Sequence, residues 1–139
     1  MIRKTIVDDL NTICEIGNQD GLTSGSSGYD YYDWYVELLQ EEKCFFYTYL
    51  INNNPVGFVL GEELLTKGAL LWCVGVLPEY KNKGIGVRLF KYFETEVKNR
   101  GLNWIYTEGF VDTIKVDKMD KLGFHTSGMK YRTYFKEIE

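Results

Sequence analysis

The chain has 139 residues, with 16 Lys and Arg against 20 Asp and Glu and a net charge of −4. That length suits one domain over residues 1–139, large enough to build a core without metal or disulfide help. Mild acidity argues against nonspecific nucleic-acid binding, and no apolar run or leader-like segment points to a membrane or to export, so a cytoplasmic protein is expected.

Ile2 to Thr5 suits a short strand, and Asp8 or Asp9 is placed to cap a helix running toward Gly17, with Leu10, Ile13 and Ile16 on its inner face. From Asn18 to Gly28 the glycines Gly21, Gly25 and Gly28 alternate with hydroxyl residues, which predicts a loop. A second helix starts near Asp30, with Tyr32, Tyr35, Val36 and Leu39 on one face. Cys44 to Ile51 and Val56 to Leu64 read as a hairpin around Asn52-Asn53-Asn54-Pro55. Lys67-Gly68 then turns the chain into Ala69–Leu77, apolar enough for a central strand covered on both faces. Ile85, Leu89, Phe90, Phe93 and Val97 mark a helix that Gly101 ends. Asn103–Val111 is a strand, Asp112 opens a short helix to Leu122, and two strands close the chain.

The three cysteines, Cys14, Cys44 and Cys73, are odd in number and widely spaced, so reduced thiols are expected and neither a disulfide framework nor a metal site. Aromatics crowd the second helix at Tyr29, Tyr31, Tyr32, Trp34 and Tyr35. They either fill the core or rim a pocket.

The turn Leu77-Pro78-Glu79-Tyr80-Lys81-Asn82-Lys83-Gly84-Ile85-Gly86 carries the most chemistry. A helix start offers unpartnered N–H groups and a positive dipole end, which together attract anions. Gly84 and Gly86 allow close backbone approach, and Lys81 and Lys83 add positive charge. A nucleoside triphosphate loop would need Lys-Ser/Thr after its last glycine, but Val87 and Arg88 follow here. A dinucleotide fingerprint would need a glycine at Leu89.

Val74-Gly75-Val76-Leu77-Pro78 followed by Lys81-Asn82-Lys83-Gly84-Ile85-Gly86 resembles the central motif of the GNAT superfamily, the acyl-CoA-dependent N-acetyltransferases. Ile2-Arg3-Lys4 with Asp9-Leu10, and Leu122-Gly123-Phe124, resemble the family's outer landmarks. Lys81 stands where the family has Arg or Gln. The resemblance implies an α/β (α+β mixed) fold, a mostly antiparallel twisted sheet of about seven strands flanked by about four helices, splayed beside the strand ending at Pro78. It implies acetyl-CoA as co-substrate and no metal. The pyrophosphate would lie on residues 81 to 86 (Lys81, Asn82, Lys83, Gly84, Ile85 and Gly86), and the pantetheine amides would pair with Val74 and Val76. The partners it implies are acetyl-CoA and an amine acceptor; charge and the absence of a long apolar run argue against nucleic acid and membrane, and a homodimer is left open.

Direct transfer to an amine needs a base, and Ala69–Leu77 holds no carboxylate, so the candidates are Glu108, Glu62 and its neighbour Glu63. Met119 stands where the family places a tyrosine to protonate the leaving thiolate, with Asp112 and Lys115 at two further altered positions. A thiol pKa of about 8.5 lets the thiolate leave unaided. The alternative is an acyl-CoA-binding module of the same fold with weakened catalysis, acting as a sensor or partner domain. His125 opens a strand and reads as a surface side chain, and Cys73 has no evident activating partner. Tyr31, Tyr32 and Tyr35 are the expected acceptor wall.

Overall fold

The computed structural model describes residues 1–18, 31–110, 121–126 and 131–138; at 108–110, 125–126 and 131–135 it describes the backbone alone. The expected loop beyond Asn18, and the expected helix with Asp112, Lys115 and Met119, lie outside these residues. Seven strands form one sheet: β1 (Ile2–Lys4), β2 (Cys44–Ile51), β3 (Asn54–Glu63), β4 (Gly68–Val76), β5 (Trp104–Phe110), β6 (His125–Thr126) and β7 (Tyr131–Glu137). The helices described are α1 (Leu10–Gly17), α2 (Tyr32–Leu39) and α3 (Ile85–Asn99). The sheet order is β1-β2-β3-β4-β5-β7-β6, antiparallel except where β4 meets β5. A mixed, mostly antiparallel sheet is therefore what the chain builds.

Local chemistry explains the elements. Asn52 and Asn53 both take positive φ (50° and 64°) in a two-residue turn between Ile51 and Asn54. That backbone matches the twist of a hairpin, and asparagine tolerates it better than most residues. On α3, the stripe Ile85, Leu89, Phe90, Phe93 and Val97 is almost fully buried, as its spacing predicts. It covers one face of the sheet, against Phe45, Val59, Ala69, Leu71 and Val76. Gly61 lets it come close, since a Cβ there would lie 2.5 Å from the Phe93 ring. The other face packs Phe46, Phe58 and Leu60 against Leu10, Ile13 and Ile16 of α1 and Tyr35 of α2.

Two expectations are corrected, on the cover of β4 and on the cap of α1. β4 is not covered along its whole length, for Trp72 is half exposed and Cys73 and Val74 are only partly buried. Composition reports apolar side chains but not the gap beside them. The second helix is described from Tyr32, with Tyr31 before it, in keeping with a start around Asp30, which itself lies outside the described residues. Asp9 makes no forward cap on α1; its carboxylate turns back to accept from the Ile6 N–H at 3.0 Å.

Asp9 also takes a two-pronged bond from Arg3, at 2.7 Å and 3.0 Å. This pair pins α1 to the end of β1, beside the buried hydroxyl pair of Thr5 and Thr48 at 2.8 Å. Burial pushes the Asp9 carboxyl up, but Arg3 and the Ile6 N–H together outweigh it and hold the group below the usual carboxylate range. Removing one partner strands the other charge, so Asp9→Ala should cost about 3 kcal/mol, at the low end for a buried pair because Arg3 keeps contact with water. The sign with pH follows from the lowered folded value. Stabilisation by Asp9 is complete above the unfolded carboxyl pKa of about 4 and is lost as pH falls through the lower folded value. Urea midpoints measured from neutral to acid pH should show Asp9→Ala losing the least stability at the acid end.

Candidate active site

The β4–β5 ladder is short. It pairs Gly68 with Trp104, Ala69 with Ile105 and Leu70 with Tyr106, and then stops. Both strands continue, β4 to Val76 under the grip of β3 and β5 to Phe110 under the grip of β7. Each is held from outside, so they part. The last link is a side chain, with the Thr107 hydroxyl donating to the Leu71 carbonyl at 3.1 Å.

A bulge sits at the same point. Leu60 faces Cys73 and Gly61 faces Leu71, which leaves Trp72 as the extra residue of β4. Bulges re-aim side chains and gather beside active sites. Past it, the Leu77 N–H donates to Val56 on β3 at 2.8 Å. Backbone groups alternate sides along a strand, so those of Val74 and Val76 point away from β3, toward the parting.

β4 leads into a 3-10 turn, Pro78–Tyr80, and then to the start of α3. Asn82 and Gly84 both take positive φ (63° and 81°), and among the described residues no side chain caps the helix. Its first N–H groups therefore remain available to an anion. Lys81, Asn82, Lys83 and Gly84 are exposed, whereas Ile85 is buried as an anchor. The Lys83 ammonium lies 5.5 Å from the Tyr80 ring centre, and Arg88, one turn into the helix, donates to the Tyr49 hydroxyl at 3.2 Å. Gly86 faces β4, where an added Cβ would lie 3.8 Å from Val74 and 3.9 Å from Val76, an ordinary contact.

The structure thus brings Val74, Val76 and residues 81–86 to one end of the parting. It divides the other candidates. Tyr35 is 1% exposed among Phe46 and Phe58, so it belongs to the core and offers an acceptor no surface. Tyr31 and Tyr32 are half-buried at the start of α2. Glu63 lies on the α3 face and pairs with Arg100 at 3.7 Å, which makes it structural. Glu62 is half-buried on the opposite face, between Cys44 and Leu70. Glu108 is on β5 opposite Thr133, and its side chain lies outside the described atoms. Cys73 is a poor nucleophile: part of the residue is exposed, but its thiol is desolvated by its surroundings and pushed up to about 12. Trp72 and Trp34 were undervalued by sequence: their rings meet edge-on at 6.0 Å. The available signal was a bulky indole interrupting an otherwise aliphatic strand.

Residues 10–124 match the family described as the Acetyltransferase (GNAT) family. The chain belongs to the GNAT family. Among curated proteins no sequence matches significantly. Solved structures show the same GNAT fold. The smu.2055 protein of Streptococcus mutans UA159 is 18% identical with a TM-score of 0.85, over 100% of this chain and 99% of that one. The paia N-acetyltransferase of Thermoplasma acidophilum, solved with coenzyme A, is 20% identical with a TM-score of 0.76, over 99% and 98%. The ribosomal-protein-S18-alanine N-acetyltransferase of Escherichia coli is 16% identical with a TM-score of 0.79, over 100% and 94%. Among the described residues no helix is long and apolar enough to cross a membrane.

The two glycines of the turn make different demands. Gly84→Ala meets no atom within 4 Å but must hold φ at +81°, so it should cost about 1 kcal/mol of stability. Gly86→Ala has room and a helical backbone, and its melting temperature should equal or slightly exceed that of the parent. Thermal melts of the two single variants check this ordering.

Proposed function

We propose that this GNAT protein is an N-acetyltransferase that moves an acetyl group directly from acetyl-CoA to a primary amine. The observation that carries it is the parting of β4 from β5, which runs between the uncapped start of α3 and the bulge at Trp72. The pyrophosphate would rest on the N–H groups of residues 81–86, with Lys81 and Lys83 beside it. The pantetheine arm would lie in the parting as an added strand, its amides against Val74 and Val76. Its thioester would then end near Trp72.

There the acceptor nitrogen attacks the thioester carbonyl carbon. A C–N bond forms, the C–S bond breaks, and a β4 N–H stabilises the oxyanion between the two events. Alkylammonium groups have a pKa of about 10, so a base must take a proton before or during attack. Glu62 and Glu108 are our candidates. The departing CoA thiolate needs no acid near its own pKa, which suits a chain with Met119 at the family's tyrosine position.

The same methionine favours a second reading, a CoA-binding module with little catalysis. Free-thiol release with a panel of amines separates the two, and Gly86→Asp supplies the control. The added carboxylate meets an anion site, so CoA binding should be lost while the fold survives. Undiminished CoA affinity in Gly86→Asp would rule out this anion site. Glu62→Gln and Glu108→Gln divide the base: the true one should lower kcat about 10²–10⁴-fold and remove the acid limb of the pH–rate profile. If neither variant changes that limb, the base is elsewhere. Met119→Tyr should hold or raise turnover, and a collapse would contradict the unaided departure.

A further inference from the structure

Packing does not account for Trp72. The residue is 50% exposed and has no counterpart across the β3 ladder. Its ring meets Trp34 edge-on at 6.0 Å. Trp34 lies 5.9 Å from Tyr31 and 5.4 Å from Tyr35. Tyr35 is sealed in the core against Phe46 and Phe58. The result is a row of rings anchored at one end in the core and open at the other. A row held this way loses little conformational freedom when a ligand settles on it. Trp72 is also among the first β4 residues past the last β4–β5 pair, so it borders the mouth of the parting.

We propose that Trp72 and Trp34 form the acceptor-binding ledge, and that the acceptor is an arylalkylamine, a primary amine on a short alkyl arm from an aromatic ring. The inference rests on the acetyltransferase reading for its reacting nitrogen, and on the ring geometry for its body. An indole face attracts cations, yet the reacting nitrogen must be neutral to attack. Holding that nitrogen on the indole would favour the unreactive ammonium, so the ledge suits the body of the acceptor. Edge-to-face and offset stacking reward another ring at centroid distances of about 4.5–7 Å. A linear polyamine has no ring to place there and gains mainly from carboxylates.

The test uses the full chain with acetyl-CoA and three amines: phenethylamine, spermidine and a short peptide with a free N-terminus. Two readouts run side by side, thiol release and quenching of tryptophan fluorescence by the amine alone. Phenethylamine should be the best acceptor and should perturb the fluorescence. Trp72→Ala should raise its KM about tenfold or more and abolish that perturbation, with the KM for acetyl-CoA changed far less, and Trp72→Phe should restore most of the acceptor KM. Preference for spermidine or the peptide, or an unchanged phenethylamine KM in Trp72→Ala, overturns the ledge while leaving the acetyltransferase standing. Phenethylamine binding that depends on Trp72 without thiol release from any amine supports the ledge and overturns the transferase. Absence of both signals overturns both.

Discussion

Everything at the candidate site depends on the early end of the β4–β5 ladder. A parallel pair gains stability for each further backbone bond, so leaving two adjacent strands unpaired has a cost. The fold bears it because β3 and β7 hold the two strands from outside and the bulge at Trp72 shifts the register of β4 where pairing stops. What remains is a gap between two strands of one sheet, walled by β3 and β7. In the proposed function the pantetheine arm, with its regularly spaced amides, would lie along this gap as an added strand. The start of α3 is the proposed anion site at one end of the same opening.

The rest of the molecule keeps that opening in place. α3 is driven against β2, β3 and β4 by its buried aromatic and aliphatic stripe, and Arg100 at its far end stacks 3.8 Å over the Phe45 ring while donating to the Glu42 and Cys44 carbonyls. Lys136 of β7 pairs with Glu94 of α3, tying β7 to the helix whose start is the proposed anion site. On the opposite face, α1 and α2 close over Phe46, Phe58 and Leu60, and the Arg3–Asp9 pair fixes where α1 starts. In the proposed function the two faces have separate tasks: one would position the donor's phosphates, and the other presents aromatic rings at the parting.

Much of this was legible in the sequence. The α3 stripe, the Asn52-Asn53 hairpin and the glycine turn after Pro78 are local patterns whose geometry follows from residue type. The bounds of β2 matched at both ends, because β-branched and aromatic residues fill it and turns flank it. What was not legible depends on partners distant in the chain. Nothing in Ala69–Leu77 says that its pairing with β5 stops after Leu70. Nothing near Tyr35 distinguishes it from Tyr31 and Tyr32, yet its position on α2 turns it into the core while they stay half-buried. Glu62 and Glu63 are adjacent, and strand alternation alone sends one to the Arg100 pair and the other to the α1–α2 face.

The central claim is that the parting between β4 and β5 receives the thioester arm of acetyl-CoA. Backbone amide shifts recorded by NMR during a CoA titration test it most directly. The account predicts saturable shifts in two connected stretches, residues 72–76 along β4 and residues 81–87 at the start of α3, with β1 and β2 largely unmoved. Shifts confined to the start of α3, or absent from both stretches while CoA binds, would contradict it.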